Sequence, residues 1–354
     1  MDYVDIIEEI TGKLTGDNEK DIKFLIKESE KWKNHEYSIE ILRAIGRMIA
    51  QRLPEESEKK LDNAFKNWTQ FTDNILNEVK CKIAEGKMNE AEKLIKKITY
   101  EELFKDDRVS TYFSFNEPIE ELYYKYKFNP KKEIRINPII NTEVFLTYAY
   151  ILFEKKEYDE ALKILNKGLK LNPIDTRLLF EKGEIFKIKK DWGRFKEITD
   201  LCFEYSYSSK DLARAYRNYG YMFIEQKDYD GAICCFLRSL HYDQHAMAKS
   251  ELFYITQVTK RYIDIDTEYH GSRCMEILNK RGIQIGPNRN MLSIAAILAE
   301  DTFNDKQYEL SHYFYGILYD LTKDDEIYEK LKNIEKIIEK KNKGRKESAL
   351  KNEK

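Results

Sequence analysis

Apolar residues recur along this chain in stripes three and four positions apart, parted by short charged connections, and rarely alternate as in a strand. Two neighbouring stripes set the plan. Phe145, Tyr148, Ala149 and Leu152 line one predicted helix face, and FEKKEYD follows as a polar connection. Tyr158, Ala161, Leu162, Leu165 and Leu169 then line a second face. Asn172–Pro173 stops that helix, because proline lacks the donor for another turn and restricts the residue before it. Two amphipathic helices joined so tightly must fold back antiparallel.

The plan returns at KDWGRF and KDYDGA: Trp192 lies 34 residues after Tyr158, and Tyr229 lies 37 after Trp192. First-helix stripes precede each, Leu179/Gly183/Phe186 and then Tyr216/Tyr219/Gly220/Phe223. Ala149, Gly183 and Gly220 keep one small position, while Ala161 and Ala232 keep the matching one on the second helix. Small residues at both positions let paired helices approach closely. Such a hairpin cannot bury both its faces alone, so the units must stack.

This pattern resembles the tetratricopeptide repeat (TPR). Residues 142–175 carry it through Ala161, Leu165, Gly168 and Pro173, and residues 213–246 through Tyr216, Gly220, Phe223, Ala232 and Phe236. The unit at 176–212 departs: Phe195 replaces the second-helix Ala, three residues are inserted, and SYSSKD replaces the Pro. An altered packing angle is expected there. The resemblance implies an all-α fold, an α-α superhelix of antiparallel hairpins with an N-terminal helical region. It implies a style of binding and no particular ligand.

Outside the three units of 142–247 the repeat fades. Residues 1–65 read as an N-terminal bundle or cap, with helices at 2–15, 18–32 and 35–52 ended by Leu53–Pro54. Residues 66–99 read as a degenerate hairpin, with Ala91 in the place of Ala161. Residues 100–141 form an aromatic connector holding Pro118, Pro130 and Pro138. Asn116, Pro118 and Glu120 mark a helix start, Ile119, Leu122, Tyr123 and Tyr126 form its stripe, and the remainder is expected to be extended or looped. A segment so aromatic is expected to pack over the repeats. Residues 248–324 read as two degenerate hairpins split by GIQIGP, with Met291/Ile294/Ala295/Leu298 and Tyr308/Ser311/His312/Tyr315 as the stripes of the second. Residues 325–354 read as a charged helix and a tail, KKNKGRKESALKNEK, expected to be frayed or disordered.

Composition narrows the function classes. Gly (14) and Pro (6) are scarce while Tyr (25) and Phe (18) abound, which favours packed helices over tight turns or disorder. A net charge of −2 gives no overall attraction to nucleic acid or a membrane surface. The opening MDYVDIIEEITGKL lacks the basic and apolar runs of a signal peptide, and no apolar run approaches the roughly 20 residues of a membrane span. Five cysteines, an odd number set in helical patterns, suit a reduced, cytoplasmic setting. The basic tail (Lys340, Lys341, Lys343, Arg345, Lys346, Lys351, Lys354) is broken by Glu339, Glu347 and Glu353 and reads as a solvated terminus. His241 and His245 share metal-like spacing but have no third ligand nearby, and Cys234–Cys235 read as small core residues. No phosphate loop, nucleophile elbow or zinc-protease motif is present, so no catalytic residue, cofactor or metal is expected.

The resemblance implies that first helices line a concave groove. Its positions are Glu143, Leu146, Thr147, Tyr150 and Phe153; Arg177, Phe180, Glu181 and Glu184; and Arg214, Arg217, Asn218 and Tyr221. The family's clamp on a C-terminal carboxylate is absent, since Leu146, Tyr150 and Glu181 occupy its places. What remains is donors (Arg177, Arg214, Arg217, Asn218) beside flat contact area (Tyr150, Phe153, Phe180, Tyr221), a surface suited to an extended peptide or acidic segment. A face that binds nothing, or that the connector covers, is the competing reading. Ala149, Tyr158, Ala161, Pro173, Gly183, Trp192, Gly220, Tyr229 and Ala232 serve packing. The expected function is a non-enzymatic interaction module or scaffold with a protein or peptide partner. One alternative is a peptide-responsive bacterial regulator using residues 1–53 as effector helices, although no helix-turn-helix is visible. Another is an enzyme with a dispersed site.

Overall fold

The computed structural model describes residues 2–99, 106–137 and 141–352, without the side chains at 58, 61, 65 and 344–352. Pro138, the rest of the connector at 100–105 and 138–140, and the tail positions Arg345, Lys346, Glu347, Lys351, Glu353 and Lys354 therefore lie outside the described side chains. Among the described residues the chain is all-α apart from two short strands, and it divides into two compact units. One comprises Met1–Asn116 with Phe128–Pro173, the other Glu117–Lys127 with Ile174–Lys354.

The first unit opens with α1 (Tyr3–Gly12), α2 (Asn18–Lys31) and α3 (Ser38–Ala50), at the three expected places. Asp2 and Asp5 form a reciprocal capping box on α1, and Asp17 caps α2 by accepting from the Lys20 amide. Ile6, Ile10, Leu25, Ile41 and Ile45 close a small core among the three helices. This bundle is anchored: Arg43 pairs with Asp107, and the Arg108 amide donates to Glu40 at 2.9 Å. The expected boundary at 65/66 falls inside α4 (Glu55–Ala84), because no Gly or Pro interrupts those residues. The helix α5 (Met88–Ile95) folds back on α4. The connector is more ordered than expected. Strands β1 (Ser110–Phe113) and β2 (Glu133–Ile136) pair in parallel with Ser110 opposite Glu133. A parallel pair needs a crossover, and α6 (Pro118–Phe128) supplies it, starting at the proline as predicted.

The helices α7 (Thr142–Glu154) and α8 (Tyr158–Leu171) form the first clear hairpin. Ala149 and Ala161 are buried at its interface and Asn172 is extended before Pro173. The buried stripe of α8 is Ala161, Ile164, Leu165 and Gly168; Leu162 and Leu169 lie at its half-buried edge. The predicted face is turned by one position.

The second unit stacks α9 (Thr176–Ile188), α10 (Trp192–Tyr205), α11 (Ser209–Glu225), α12 (Tyr229–Tyr242), α13 (Ala246–Thr259) and α14 (Gly271–Lys280). It continues through α15 (Arg289–Asn304), α16 (Tyr308–Thr322) and α17 (Asp325–Asn352). The pairs α9/α10, α11/α12 and α15/α16 are antiparallel hairpins, with α10 packed on α11 and α12 on α13, the stacking of an α-α solenoid. The same left-handed residue closes each tight hairpin: Gly86 (φ 74°), Lys156 (63°), Lys190 (55°), Lys227 (60°) and Lys306 (60°). Its recurrence marks α15/α16 as built on the common plan. The α13/α14 pair departs, with a long loop from Lys260 to His270 in place of the tight turn.

Two sequence departures have structural readings. The three inserted residues lengthen α11, which has 17 residues against 13 in α9. The added start is fixed by Asp320 of α16, which accepts from the Ser209 amide at 2.7 Å and hydroxyl at 2.8 Å. Phe195, in the place of a small residue, is fully buried and faces Gly183. The α6 stripe is also revised: Ile119 and Tyr123 are buried, whereas Tyr126 is exposed. Within this unit Tyr123 packs edge-on against Tyr205, and Tyr207 donates to Glu120 at 3.1 Å. The tail expected to fray is helical through Asn352, since its Lys, Glu, Ala and Leu are good helix formers.

Candidate functional site

Helices stacked as α9, α11 and α13 each bury the faces that meet their neighbours and leave one stripe open. The predicted groove residues occupy that stripe unevenly. In the first unit Tyr150 is exposed and Phe153 rests edge-on against Tyr158, with ring centroids 5.5 Å apart. Thr147 is buried, and Glu143 pairs with Lys80 at 2.9 Å.

In the second unit the expected donors are engaged by the chain itself. Arg177 pairs at 2.9 Å with Asp175, the residue that caps its own helix. Arg214 donates to Glu181 at 3.0 Å, and its guanidinium lies 4.4 Å from the centre of the Phe180 ring. Arg217 donates to the Ser239 hydroxyl at 3.1 Å and to Asp243 at 3.3 Å, tying α11 to the end of α12. Phe180 and Asn218 are buried and offer no contact area, which corrects their expected role. Apolar Phe180 is roofed by Arg214, and Asn218 sinks between packed helices.

In this second unit Tyr221 stays half exposed. The Lys187 ammonium lies 4.9 Å from its ring centre, and the Trp192 ring is 6.3 Å away. Burial raises its pKa first, and the negative charges of Glu225, Glu251 and Glu184 add to the rise. Glu184 pairs with Lys187. Burial pushes the Glu251 carboxyl above the usual range, with Lys187 pulling the other way. Lys187 of α9 and Tyr221 of α11 thus share an open stretch of surface, and α13 follows in the stack through its packing on α12.

A further open stripe, of residues not predicted as contacts, lies on α13. On α13, Met247, Glu251, Tyr254 and Val258 succeed one another by four, three and four positions, the spacing of one helical stripe. Met247 is 56% exposed, Tyr254 48% and Val258 46%, and Ile188 on α9 is 45% exposed. Their signal was present in AMAKSELFYITQV, as an apolar stripe offset from the buried Ala248 and Ile255. It went unread because 248–281 matched the repeat poorly.

Other candidate chemistry resolves as structure. His241 ends α12, whereas His245 caps α13 by accepting from the Met247 amide at 3.2 Å, so the two sit on different elements. Cys234 and Cys235 are fully buried, and all five cysteines are free thiols. Among the described residues no group of three or more His, Cys, Asp or Glu is placed to hold a metal ion. None of the described helices is long and apolar enough to cross a membrane. A cavity of about 230 Å³ opens beside the long α13/α14 loop, lined by Asp230, Ile233, Ile255, Arg261 and Tyr269 among others. Its polar groups are largely paired: Tyr269 donates to Asp230, and Arg261 binds Glu268 at 2.7 Å.

The arrangement defines an all-α protein of stacked, TPR-like helix hairpins with one open face in its second unit. No protein-family model matches the chain, and no curated protein matches its sequence. The chain is similar to solved structures. One is the MamA RS-1 ArsTM double mutant, at 15% identity over 59% of this chain and 96% of that one, with a TM-score of 0.37. Another is a tetratricopeptide repeat protein from Parabacteroides merdae, at 11% identity over 88% of this chain and 98% of that one, with a TM-score of 0.38.

Proposed function

We propose that this chain is a non-catalytic interaction module that binds a peptide segment of a partner protein on the face shared by α9, α11 and α13. One observation carries the reading: Ile188 of α9 and Met247, Tyr254 and Val258 of α13 stand exposed in the same stack that holds half-exposed Tyr221 on α11. Open apolar area beside an aromatic ring is surface that a partner gains by covering, at about 25 cal/mol per Å². Aromatic anchors of this kind concentrate binding energy.

The test is selection of displayed peptides on the full chain, compared with the Tyr254→Ser/Val258→Ser variant. Both positions are exposed, so the variant should melt within a few degrees of wild type. Peptides bound by wild type and weakened at least about tenfold by the variant are expected. Peptides that bind both proteins equally would remove this face as the site.

A further inference from the structure

We infer that the cavity beside the α13/α14 loop binds a free aromatic α-amino acid. The cavity, of about 230 Å³, lies where the start of α12 and the end of α13 meet that loop. Pockets for drug-sized ligands run to roughly 300–1,000 Å³, so this one suits a single ring with a short polar group. Its lining includes an apolar part, Ile233 and Ile255, both buried. The loop that walls it holds its own shape. The Asp264 carboxylate accepts from the Asp266 and Thr267 amides, both at 3.1 Å, and Tyr269 is buried.

The other hairpins show what this place lacks. The second helices α8, α10 and α16 each open on an aromatic residue that meets a ring of its own hairpin. Tyr158 packs edge-on against Phe153 at 5.5 Å, and Tyr308 against Phe303 at 5.6 Å, the partner lying five residues earlier each time. Trp192 meets Phe195 at 6.0 Å. Tyr229 holds the same place in α12, but Ile224 stands five residues before it. Among the described residues Tyr229 meets no ring, and it lines the cavity instead. An aromatic ligand supplies the missing partner, and a ring pair is worth more than the apolar area it buries.

The charged lining residues define the rest of the ligand. Arg281 holds both oxygens of Asp228, at 2.5 and 2.6 Å, and Arg261 binds Glu268 at 2.7 Å. Among the described lining residues two charges are left. Lys227 forms no ion pair there. Asp230 accepts from the Tyr269 hydroxyl at 2.5 Å and stands 3.8 Å from Arg261, both through Oδ1, which leaves Oδ2 unbonded. A free cation and a free carboxylate oxygen, three positions apart around the start of α12, match the carboxylate and the ammonium of one amino acid. A peptide chain end carries only one of those charges, and an internal residue carries neither.

Calorimetric titration of the full chain tests this with four compounds: L-phenylalanine, its N-acetyl derivative without the ammonium, its amide without the carboxylate, and L-leucine. Phenylalanine is expected to bind best, with the other three weaker by at least about threefold. Tyr229→Leu keeps apolar bulk and loses the ring, and should weaken phenylalanine about three- to tenfold. Lys227→Gln, at an exposed position, should do the same while the melting temperature stays within about two degrees of wild type. Absence of phenylalanine binding overturns the inference, as does equal binding of leucine. Equal or tighter binding of the acetyl derivative or the amide overturns the free amino acid in favour of a peptide end. Unchanged affinity in Lys227→Gln removes the cavity as the site, even where Tyr229→Leu proves unstable. None of these outcomes bears on the proposed peptide face, because Ile188, Tyr221, Met247, Tyr254 and Val258 do not line the cavity.

Discussion

The hairpins α9/α10 and α11/α12 follow one plan and solve it differently. Both close on a left-handed Lys, both carry a glycine in the middle of the first helix, and both place arginine on the open stripe. In α9 Arg177 pairs with Asp175, two residues before it. In α11 the arginines are ties, Arg214 to α9 through Glu181 and Arg217 to α12 through Ser239 and Asp243. The glycines differ as well. A Cβ on Gly183 would meet Ile198 at 3.6 Å, an ordinary contact, whereas one on Gly220 would lie 2.7 Å from the Phe236 ring. Equal places in a repeat thus do unequal work, because each depends on the volume and charge that its own neighbours present.

The largest expected effect comes from the ties. Arg214→Glu/Arg217→Glu places carboxylates against Glu181 and Asp243 and removes the donor to buried Ser239. A loss of about 2–4 kcal/mol in unfolding stability is expected, read by urea titration. Arg177→Ala should cost less, about 1 kcal/mol, since it introduces no like charge and buried Asp175 still accepts the amide of residue 177. Equal losses in the two variants would erase the contrast between Arg177 and the tying arginines. A stable double variant would return these residues to the pool of possible ligand contacts.

Sequence pattern reached the architecture more surely than the face. Helix starts and stops were legible because Asn172–Pro173, Asp17 and the tight-turn lysines act locally. The packing positions Ala149, Ala161, Gly220 and Ala232 were legible because only small residues fit where helices cross closely. The engagement of Arg214 and Arg217 was not, since Glu181 and Asp243 lie 33 and 26 residues away and pair only through stacking. The strands β1 and β2 were hidden for a similar reason: their pairing spans α6, and four residues are too few to show alternation. The stripe of α13 was visible residue by residue, but only the alignment of three helices makes it a surface.

The two glycines sharpen the comparison at a smaller scale. Gly220→Ala is expected to destabilise by about 1–3 kcal/mol, because the added methyl forces the buried Phe236 ring to shift. Gly183→Ala should be neutral or stabilising by up to about 1 kcal/mol, since the methyl fits and alanine lowers the entropic cost of the helix. Thermal melts of the two variants decide it. Equal destabilisation would mean that the Gly183 site is as tight as the Gly220 site, and the volume compensation by Phe195 would fail.

The smallest expected effect lies at the boundary between stability and binding. Burial raises the Glu251 carboxyl above its ordinary value of 4.5, so the folded chain holds that proton more tightly than the unfolded one. For a raised carboxyl the associated stability is fully present below the unfolded value and is lost as pH rises through the folded value. At neutral pH the charged group is therefore a mild liability, which Lys187 relieves only in part. Glu251→Gln removes the liability, so the variant should melt slightly above wild type near pH 7, with the advantage vanishing below about pH 4.5. A lower melting temperature near pH 7 would show that Lys187 already satisfies Glu251. A raised one would show that the charge is kept at a cost to folding.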